Sequence, residues 1–155
     1  MTLVGLFFSV VSMRLEGSFF GGDLALAGRM IMAEVGQLRG ESAHTRKDRI
    51  LRLNLADQTL YSFAPQQKPE DQLAEEEWGR RRLKRLPREV SLVDVVTPTG
   101  KVQEGEAEIR FYASGRVERS MIHVKDEEGA NRTFEINPLT GVVTIHEGYV
   151  ERKAG

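Results

Sequence analysis

The sequence of 155 residues contains no cysteine, only one tryptophan and only three histidines. The absence of cysteine excludes thiolate catalysis, disulfides and cysteine-ligated zinc or iron–sulfur sites, and it leaves the cellular compartment open. A formal net charge of −1 likewise excludes a strong overall attraction to nucleic acid or to an anionic membrane. Any such partner would have to be bound by a local patch of charge.

Catalytic motifs are also lacking. The sequence has no glycine-rich phosphate loop, no dinucleotide-binding fingerprint and no nucleophile elbow. His44, His123 and His146 are not spaced as zinc ligands on one helix face would be, and we predict that each is a surface or half-buried polar residue. We therefore predict no catalytic residue, no cofactor and no metal, and a protein that is not an enzyme.

An acidic loop leaves one cation hypothesis open. Asp126, Glu127 and Glu128 are consecutive and offer the hard oxygen ligands that calcium prefers. The loop lacks the regularly spaced Asp and Asn positions of a dedicated calcium site. An exposed turn is the favoured interpretation.

A chain of this length can form one domain with a full hydrophobic core. We divide it into a hydrophobic N-terminal segment, residues 1–22, and a globular domain, residues 23–155. Residues 3–13, LVGLFFSVVSM, are mostly apolar, and as a helix they would rise about 16 Å, too little to cross a hydrocarbon core of about 30 Å. Partial membrane insertion or packing in a filament is favoured; a secretory signal peptide and a buried core helix are the alternatives.

The next segment predicts a long helix with its N-cap at Asp23 and its end near Thr45. Its apolar residues recur at steps of three and four and form one stripe that must dock on another element. The stripe consists of Leu24, Ala27, Ile31, Val35 and Leu38. Gly28, Gly36 and Gly40 each cost the helix about 1 kcal/mol relative to alanine. They mark either close approach of a neighbouring element or simple tolerance.

Beyond the helix the apolar pattern alternates with a period of two, which is typical of half-buried strands. Residues 50–55 and 59–63 predict a hairpin. Turns rich in Gly, Pro and Asn separate the remaining predicted strands, at residues 89–96, 106–112, 116–124, 132–136 and 142–147. We therefore predict an α+β fold, in which a long N-terminal helix packs on an antiparallel β domain of about seven short strands.

A charged segment, residues 64–88, interrupts the strands. It is acidic between residues 70 and 77 and carries six cations between residues 80 and 88, so a short solvated helix or an ordered loop is expected. Cations at this density can neutralise phosphates, but the acidic neighbours cancel most of the field and Trp78 alone offers a stacking surface. We therefore predict a protein-binding insertion. Its partner-binding residues are Trp78, Arg81, Arg82 and Arg85.

Four stretches of sequence carry a family resemblance. MTLVGLFFSVV begins with an apolar run that includes Thr2, Leu3, Val4 and Leu6. FGGDLALAGRMIMAEVGQLRGES is similar to the second half of a pilin helix, and RILRLNLADQTLYSF to the hairpin that follows it. IRFYASGRV and FEINPLTGVVTI are similar to the closing strands. In this order the chain resembles the minor pseudopilins of the GspH/FimT family, within the type IV pilin-like superfamily.

The resemblance departs from the family pattern at the N-terminus. Gly5 stands where such proteins usually have the glutamate that helps to place a subunit in the growing filament. Arg14 and Glu16 interrupt an apolar segment that is usually longer. We expect the N-terminus to represent a mature, trimmed or engineered form.

The resemblance implies a non-enzymatic minor subunit of a type II secretion pseudopilus, which supports protein export at the bacterial inner membrane and in the periplasm. Its expected partners are other pseudopilin or pilin subunits, the secretion machinery and, through the N-terminal segment, the inner membrane. No small-molecule substrate and no nucleic acid is expected. The implied assembly residues of the N-terminal segment are Leu3, Val4, Leu6, Phe7 and Phe8. A minor pilin of a type IV pilus and a soluble β-rich module that binds a ligand or nucleic acid are the alternatives.

Overall fold

The computed structural model describes residues 22–65 and 83–151. In these residues one helix, α1 (Gly22–Thr45), precedes nine strands. The strands are β1 (Arg49–Asn54), β2 (Thr59–Phe63), β3 (Lys84–Arg85), β4 (Val90–Thr97), β5 (Gly100–Val102), β6 (Glu106–Phe111), β7 (Ser120–Asp126), β8 (Asn131–Ile136) and β9 (Val143–Glu147). The predicted helix is confirmed, with Asp23 in its first turn and not at the N-cap position.

The strands form two antiparallel sheets. A four-stranded sheet has the order β3-β2-β1-β6, and a five-stranded sheet has the order β5-β4-β7-β8-β9. The predicted β1–β2 hairpin is confirmed. Its turn is stabilised by Asn54, whose side-chain oxygen accepts hydrogen bonds from the backbone N–H groups of Ala56 and Asp57 at 3.0 and 2.9 Å, as turn asparagines commonly do.

The chain crosses from one sheet to the other at residues 113–119. The predicted strand at residues 116–124 begins only at Ser120, because the preceding residues make this crossing. Strand β6 pairs with β1, whereas β7 pairs with β4. A single bridge between Phe111 and Val117 joins the two sides of the crossing, and the Val117 N–H donates to the carbonyl oxygen of Pro138 at 2.9 Å.

The hydrophobic core lies between α1 and the inner faces of the two sheets. All five residues of the predicted stripe are buried, so the predicted docking of the helix is confirmed. The surroundings of the three helix glycines show which of them mark close approach of a neighbouring element and which are simply tolerated. A Cβ at Gly28 would lie 3.1 Å from Cε1 of Phe134 on β8, whereas a Cβ at Gly36 or Gly40 would meet no atom within 4 Å. Close approach therefore explains Gly28, and tolerance explains Gly36 and Gly40.

Candidate partner-binding surface

The structure describes the C-terminal end of the charged segment, which forms strand β3 at the edge of the four-stranded sheet. Lys84 and Arg85 pair with β2, and the backbone N–H of the buried Leu86 donates to a carbonyl of the β1–β2 turn at 3.1 Å. The end of the charged insertion, which the sequence analysis places within the globular domain, is therefore attached to the four-stranded sheet. A two-residue strand is too short for its alternation to be recognised in sequence.

An ion pair between a buried glutamate and a partly exposed lysine joins β3 to the helix. The Glu34 side chain lies in the middle of α1 with 3% of its surface exposed, and its Oε2 is 2.6 Å from Nζ of Lys84. A buried carboxylate without its partner is strongly destabilising, so this contact holds β3 in place. Sequence analysis missed Glu34. Its spacing from Ile31 and Leu38, three and four residues, is the signal that places it on the flank of the apolar stripe.

Arg85 is the predicted partner-binding residue that the structure describes. It is exposed, and within residues 22–65 and 83–151 it has no ion-pair partner. Leu83, directly before the strand, is 49% exposed. An apolar and a cationic side chain thus face solvent together, a combination that suits a protein interface.

The other predicted partner-binding residues lie outside the described residues and remain predictions. They are Trp78, Arg81 and Arg82 of the charged segment and Leu3, Val4, Leu6, Phe7 and Phe8 of the N-terminal segment. Among the elements that the structure does describe, no helix has both the length and the apolar character to cross a membrane.

The outer face of the four-stranded sheet, next to β3, carries an arginine network that sequence analysis missed. Arg52 Nη2 is 2.6 Å from Oε1 of Glu108, and its Nη1 donates to the Tyr61 hydroxyl at 2.5 Å. The guanidinium carbon also lies 4.6 Å from the ring centroid of Phe63, within the range of a cation–π contact. These contacts hold the Arg52 guanidinium against neighbouring side chains of the same sheet. The signal for them is the strand register, since Arg52 faces Tyr61 on β2 and Glu108 on β6.

The outer face of the five-stranded sheet holds a buried polar cluster. His123, predicted to be a surface or half-buried residue, is instead completely buried. Its Nδ1 is 2.5 Å from Oδ1 of Asp94, and its Nε2 is 2.8 Å from the carbonyl oxygen of Val150. The prediction was wrong because a register shift on β4 turns Asp94 to face His123, and residues 148–151 cover the pair.

Tyr149 completes this cluster. Its hydroxyl donates to Oδ2 of Asp94 at 2.7 Å, and its ring stacks on the imidazole of His123 with centroids 3.9 Å apart. Burial raises the pKa of Tyr149, and the hydrogen bond to Asp94 acts in the same direction, while Lys101 opposes them. The phenol therefore stays a hydrogen-bond donor through the neutral pH range. The other two histidines fit the prediction, since His44 is exposed and His146 is half-buried.

An acidic groove lies at the N-terminus of α1. Asp23, Glu89 and the acidic loop at residues 126–128 line it, together with Arg132. A side-chain hydrogen bond with Asp23 raises the pKa of Glu89. Oδ1 of Asp126 accepts the backbone N–H of Ala130 at 2.8 Å, inside its own turn. In the described ranges no three acidic or histidine side chains have a geometry that could hold a metal ion.

Comparison with known proteins identifies the fold. No protein-family model and no curated protein sequence matches the chain. Among solved structures, the chain is similar to the minor pseudopilin EpsH from the type 2 secretion system of Vibrio cholerae, with a TM-score of 0.54 and 10% sequence identity. The match covers 81% of this chain and 97% of that chain. The predicted architecture is therefore confirmed, and the protein has the pilin-like α+β fold, in which a helix packs on antiparallel sheets.

Proposed function

We propose that this protein is a non-enzymatic minor pseudopilin of a type II secretion pseudopilus, located at the inner membrane and in the periplasm. The observation that carries the proposal is the fold, because the helix and both sheets correspond to nearly the whole chain of a minor pseudopilin. The family resemblance of the sequence supports the proposal separately from the fold. The role is mechanical, and its specificity lies in surfaces that contact other subunits.

The N-terminal segment supplies one of these surfaces. Helix α1 buries one stripe against the β domain and begins, in the described residues, at Gly22. The apolar residues that precede it, Leu3, Val4, Leu6, Phe7 and Phe8, would pack between subunits in the filament core or enter the membrane part-way. Residues 1–22 are then needed for assembly and dispensable for folding of the domain 23–155.

The charged segment supplies the second surface. Leu83 and Arg85 are exposed at its base, and the Glu34–Lys84 ion pair attaches that base to α1. Trp78, Arg81 and Arg82 extend this surface in our proposal. An aromatic anchor with arginines around it is a common composition for a protein-binding hot spot.

Charge reversal tests the second surface. The variant Arg81→Glu/Arg82→Glu/Arg85→Glu should weaken association with neighbouring pseudopilins by roughly tenfold or more and leave the thermal unfolding midpoint nearly unchanged. The variant Lys47→Glu/Arg116→Glu/Arg119→Glu is the matched control, because it changes the same charge at three exposed residues elsewhere. Equal losses of association in both variants would mean that net charge matters and that the surface does not.

Deletion of the gene in its host tests the function itself. Loss of protein export, restored by the wild-type gene and not by the charge-reversed variant, is the expected result. Loss of surface pili with intact export would instead assign the protein to a type IV pilus.

A nucleic-acid-binding role has a separate signature. Submicromolar DNA binding at physiological salt, with an affinity that falls steeply as salt rises, would replace the proposed function if the triple charge reversal abolished it.

A further inference from the structure

The two sheets have four edge strands among the described residues, β3, β6, β5 and β9, and three of these edges are short or covered. β3 has two residues and β5 has three. The sheet crossing covers the edge of β6, because the Glu118 N–H donates to the Arg110 carbonyl oxygen and the Tyr112 N–H to the Arg116 carbonyl oxygen, both at 2.8 Å. Short and covered edges prevent pairing with other chains. β9 has five residues, with no lysine, proline or bulge to protect it.

Two hydrogen bonds that flank β9 fix the pattern of its pairing with β8. The Asn137 N–H donates to the Val142 carbonyl oxygen at 2.9 Å, before the strand begins. The Gly148 N–H donates to the Asn131 carbonyl oxygen at 2.9 Å, after it ends. Hydrogen-bonded and non-hydrogen-bonded pairs alternate in an antiparallel ladder. Every second residue of β9, counted from either flank, therefore bonds to β8.

The same alternation shows which backbone groups of β9 point to its free edge. Thr144 and His146 bond to β8. The N–H and carbonyl groups of Val143, Ile145 and Glu147 point the other way. Within residues 22–65 and 83–151 no protein group pairs with them. The free edge of β9 is thus a row of alternating donors and acceptors that a further strand can bond.

Apolar side chains accompany this edge. Ile145 lies opposite the fully buried Phe134 of β8, so its side chain is on the inner face of the sheet, beside α1. A Cβ at Gly28 would lie 3.8 Å from Cδ1 of Ile145, and Met32 is one turn further along the same side of the helix. Ile145 and Met32 are each 43% exposed. A strand added to β9 would cover apolar surface as well as bond the backbone.

We propose that β9 pairs antiparallel with β9 of a second copy of this chain, about a two-fold axis at Ile145. In this register Ile145 of one copy bonds to Ile145 of the other, and Val143 of each copy bonds to Glu147 of the other. Each of these residues has one N–H and one carbonyl group, so every outward-pointing group of β9 is bonded in both copies. The two five-stranded sheets become one continuous sheet with both α1 helices on the same face.

The side chains of this register favour a second copy as the partner. The two Ile145 side chains lie directly opposite each other, and apolar cross-strand pairs stabilise a sheet. Each Glu147 lies opposite a valine, so no like charges face each other along the inner side of the new pair. A two-fold contact uses the same edge of both copies and closes, so no third copy can add. This pairing goes beyond the proposed function and does not require it.

A single introduced cysteine tests the register in the full chain, which has no cysteine of its own. Directly opposite Cα atoms of a hydrogen-bonded pair are about 5.5 Å apart, a distance that a disulfide can span. Mild oxidation of Ile145→Cys should therefore give a disulfide-linked dimer. Val142→Cys is the matched control, because Val142 is more exposed, at 59%, and its two copies would lie about 20 Å apart. Equal rates of cross-linking, or no dimer of Ile145→Cys, would overturn the proposal.

Amide hydrogen exchange tests the pairing on the wild-type chain. The outward-pointing amides of Val143, Ile145 and Glu147 should become protected as the protein concentration rises. The amides of Thr144 and His146, which bond to β8, should be protected at low and high concentration alike. Exchange of the first three that does not depend on concentration would contradict the pairing. Protection that appears only when a neighbouring pseudopilin is added would assign the edge to that subunit and overturn the second copy.

A charge at the axis gives the third test. Ile145→Lys places two cations directly opposite each other, which destabilises a strand pair, and should weaken dimerisation in sedimentation experiments by roughly tenfold or more. Thr144→Lys adds the same charge to an exposed residue on the outer face of the same strand and should have a much smaller effect. Association that Ile145→Lys leaves unchanged would run through another surface, and the proposed pairing would then be wrong.

Discussion

The outer faces of the two sheets both carry a basic side chain next to a carboxylate, but in opposite surroundings. On the four-stranded sheet the side chains of Arg52 and Glu108 are 26% and 47% exposed, and water screens their interaction. On the five-stranded sheet the side chains of His123 and Asp94 are 0% and 3% exposed. If Arg52 or Glu108 is removed, water can solvate the side chain that remains. Water does not reach His123 or Asp94, so each of these side chains needs the other as its hydrogen-bond partner.

Removal of Asp94 should have the largest effect on stability. Asp94→Ala leaves His123 buried without its carboxylate and the Tyr149 hydroxyl without its acceptor. Each buried polar group that is left without its partner costs about 1–3 kcal/mol, and urea unfolding will measure the sum. A loss below about 1 kcal/mol would mean that the buried pair behaves like the exposed one, and the contrast between the two faces would fail.

Truncation of a stripe residue in α1 extends the comparison of the two sheets to the core, because the stripe packs against both sheets. Ile31 is fully buried, and Ile31→Ala should lower the free energy of unfolding by roughly 2–5 kcal/mol. Denaturant melts should show one cooperative transition. A change below about 0.5 kcal/mol, the usual size for a surface substitution, would contradict docking of the helix.

Two glycines of α1 test how closely the five-stranded sheet approaches the helix. Gly36→Ala should stabilise the protein by about 1 kcal/mol, because alanine is the better helix former and the site is open. Gly28→Ala should gain less or lose stability, because its methyl group would lie 3.1 Å from the Phe134 ring. Thermal unfolding of the two variants side by side gives the difference, and equal gains would exclude a close approach at Gly28.

Removal of Glu108 should have the smallest effect. Glu108→Ala breaks the exposed pair with Arg52, and such pairs contribute about 0.2–1 kcal/mol. The remaining contacts of Arg52 with Tyr61 and Glu106 reduce the loss further. A loss as large as that of Asp94→Ala, in the same urea titration, would show that the four-stranded face is less accessible to water than its side-chain exposures indicate.

Local patterns in the sequence predicted much of the fold. The stripe from Leu24 to Leu38 and the hairpin at residues 50–63 depend on neighbours a few positions apart, and the structure confirms both. Strands β3 and β5 were missed because they have two and three residues and exist only through their pairing with other strands. The sheet crossing at residues 113–119 was missed because the alternating pattern assigned to residues 116–124 begins before the crossing ends at Ser120.

The side-chain contacts could not be predicted from the sequence, for a related reason. Asp94 and His123 are 29 positions apart in the chain, and a register shift on β4, which no local pattern indicates, brings them together. The pairing of Glu34 with Lys84 likewise depends on where β3 lies against α1. Exposure of Arg85, by contrast, followed from the dense charge around it, and the structure confirms it.

The anchoring of β3 has a consequence for how relatives of this protein can diverge. The folded domain holds both ends of the intervening stretch, residues 66–82, because β2 leads into it and β3, attached to Glu34, receives the chain afterwards. A substitution within residues 66–82 removes neither the pairing of β3 with β2 nor the Glu34–Lys84 contact. Under the proposed function, partner-binding residues in this stretch can therefore change while the scaffold stays constant.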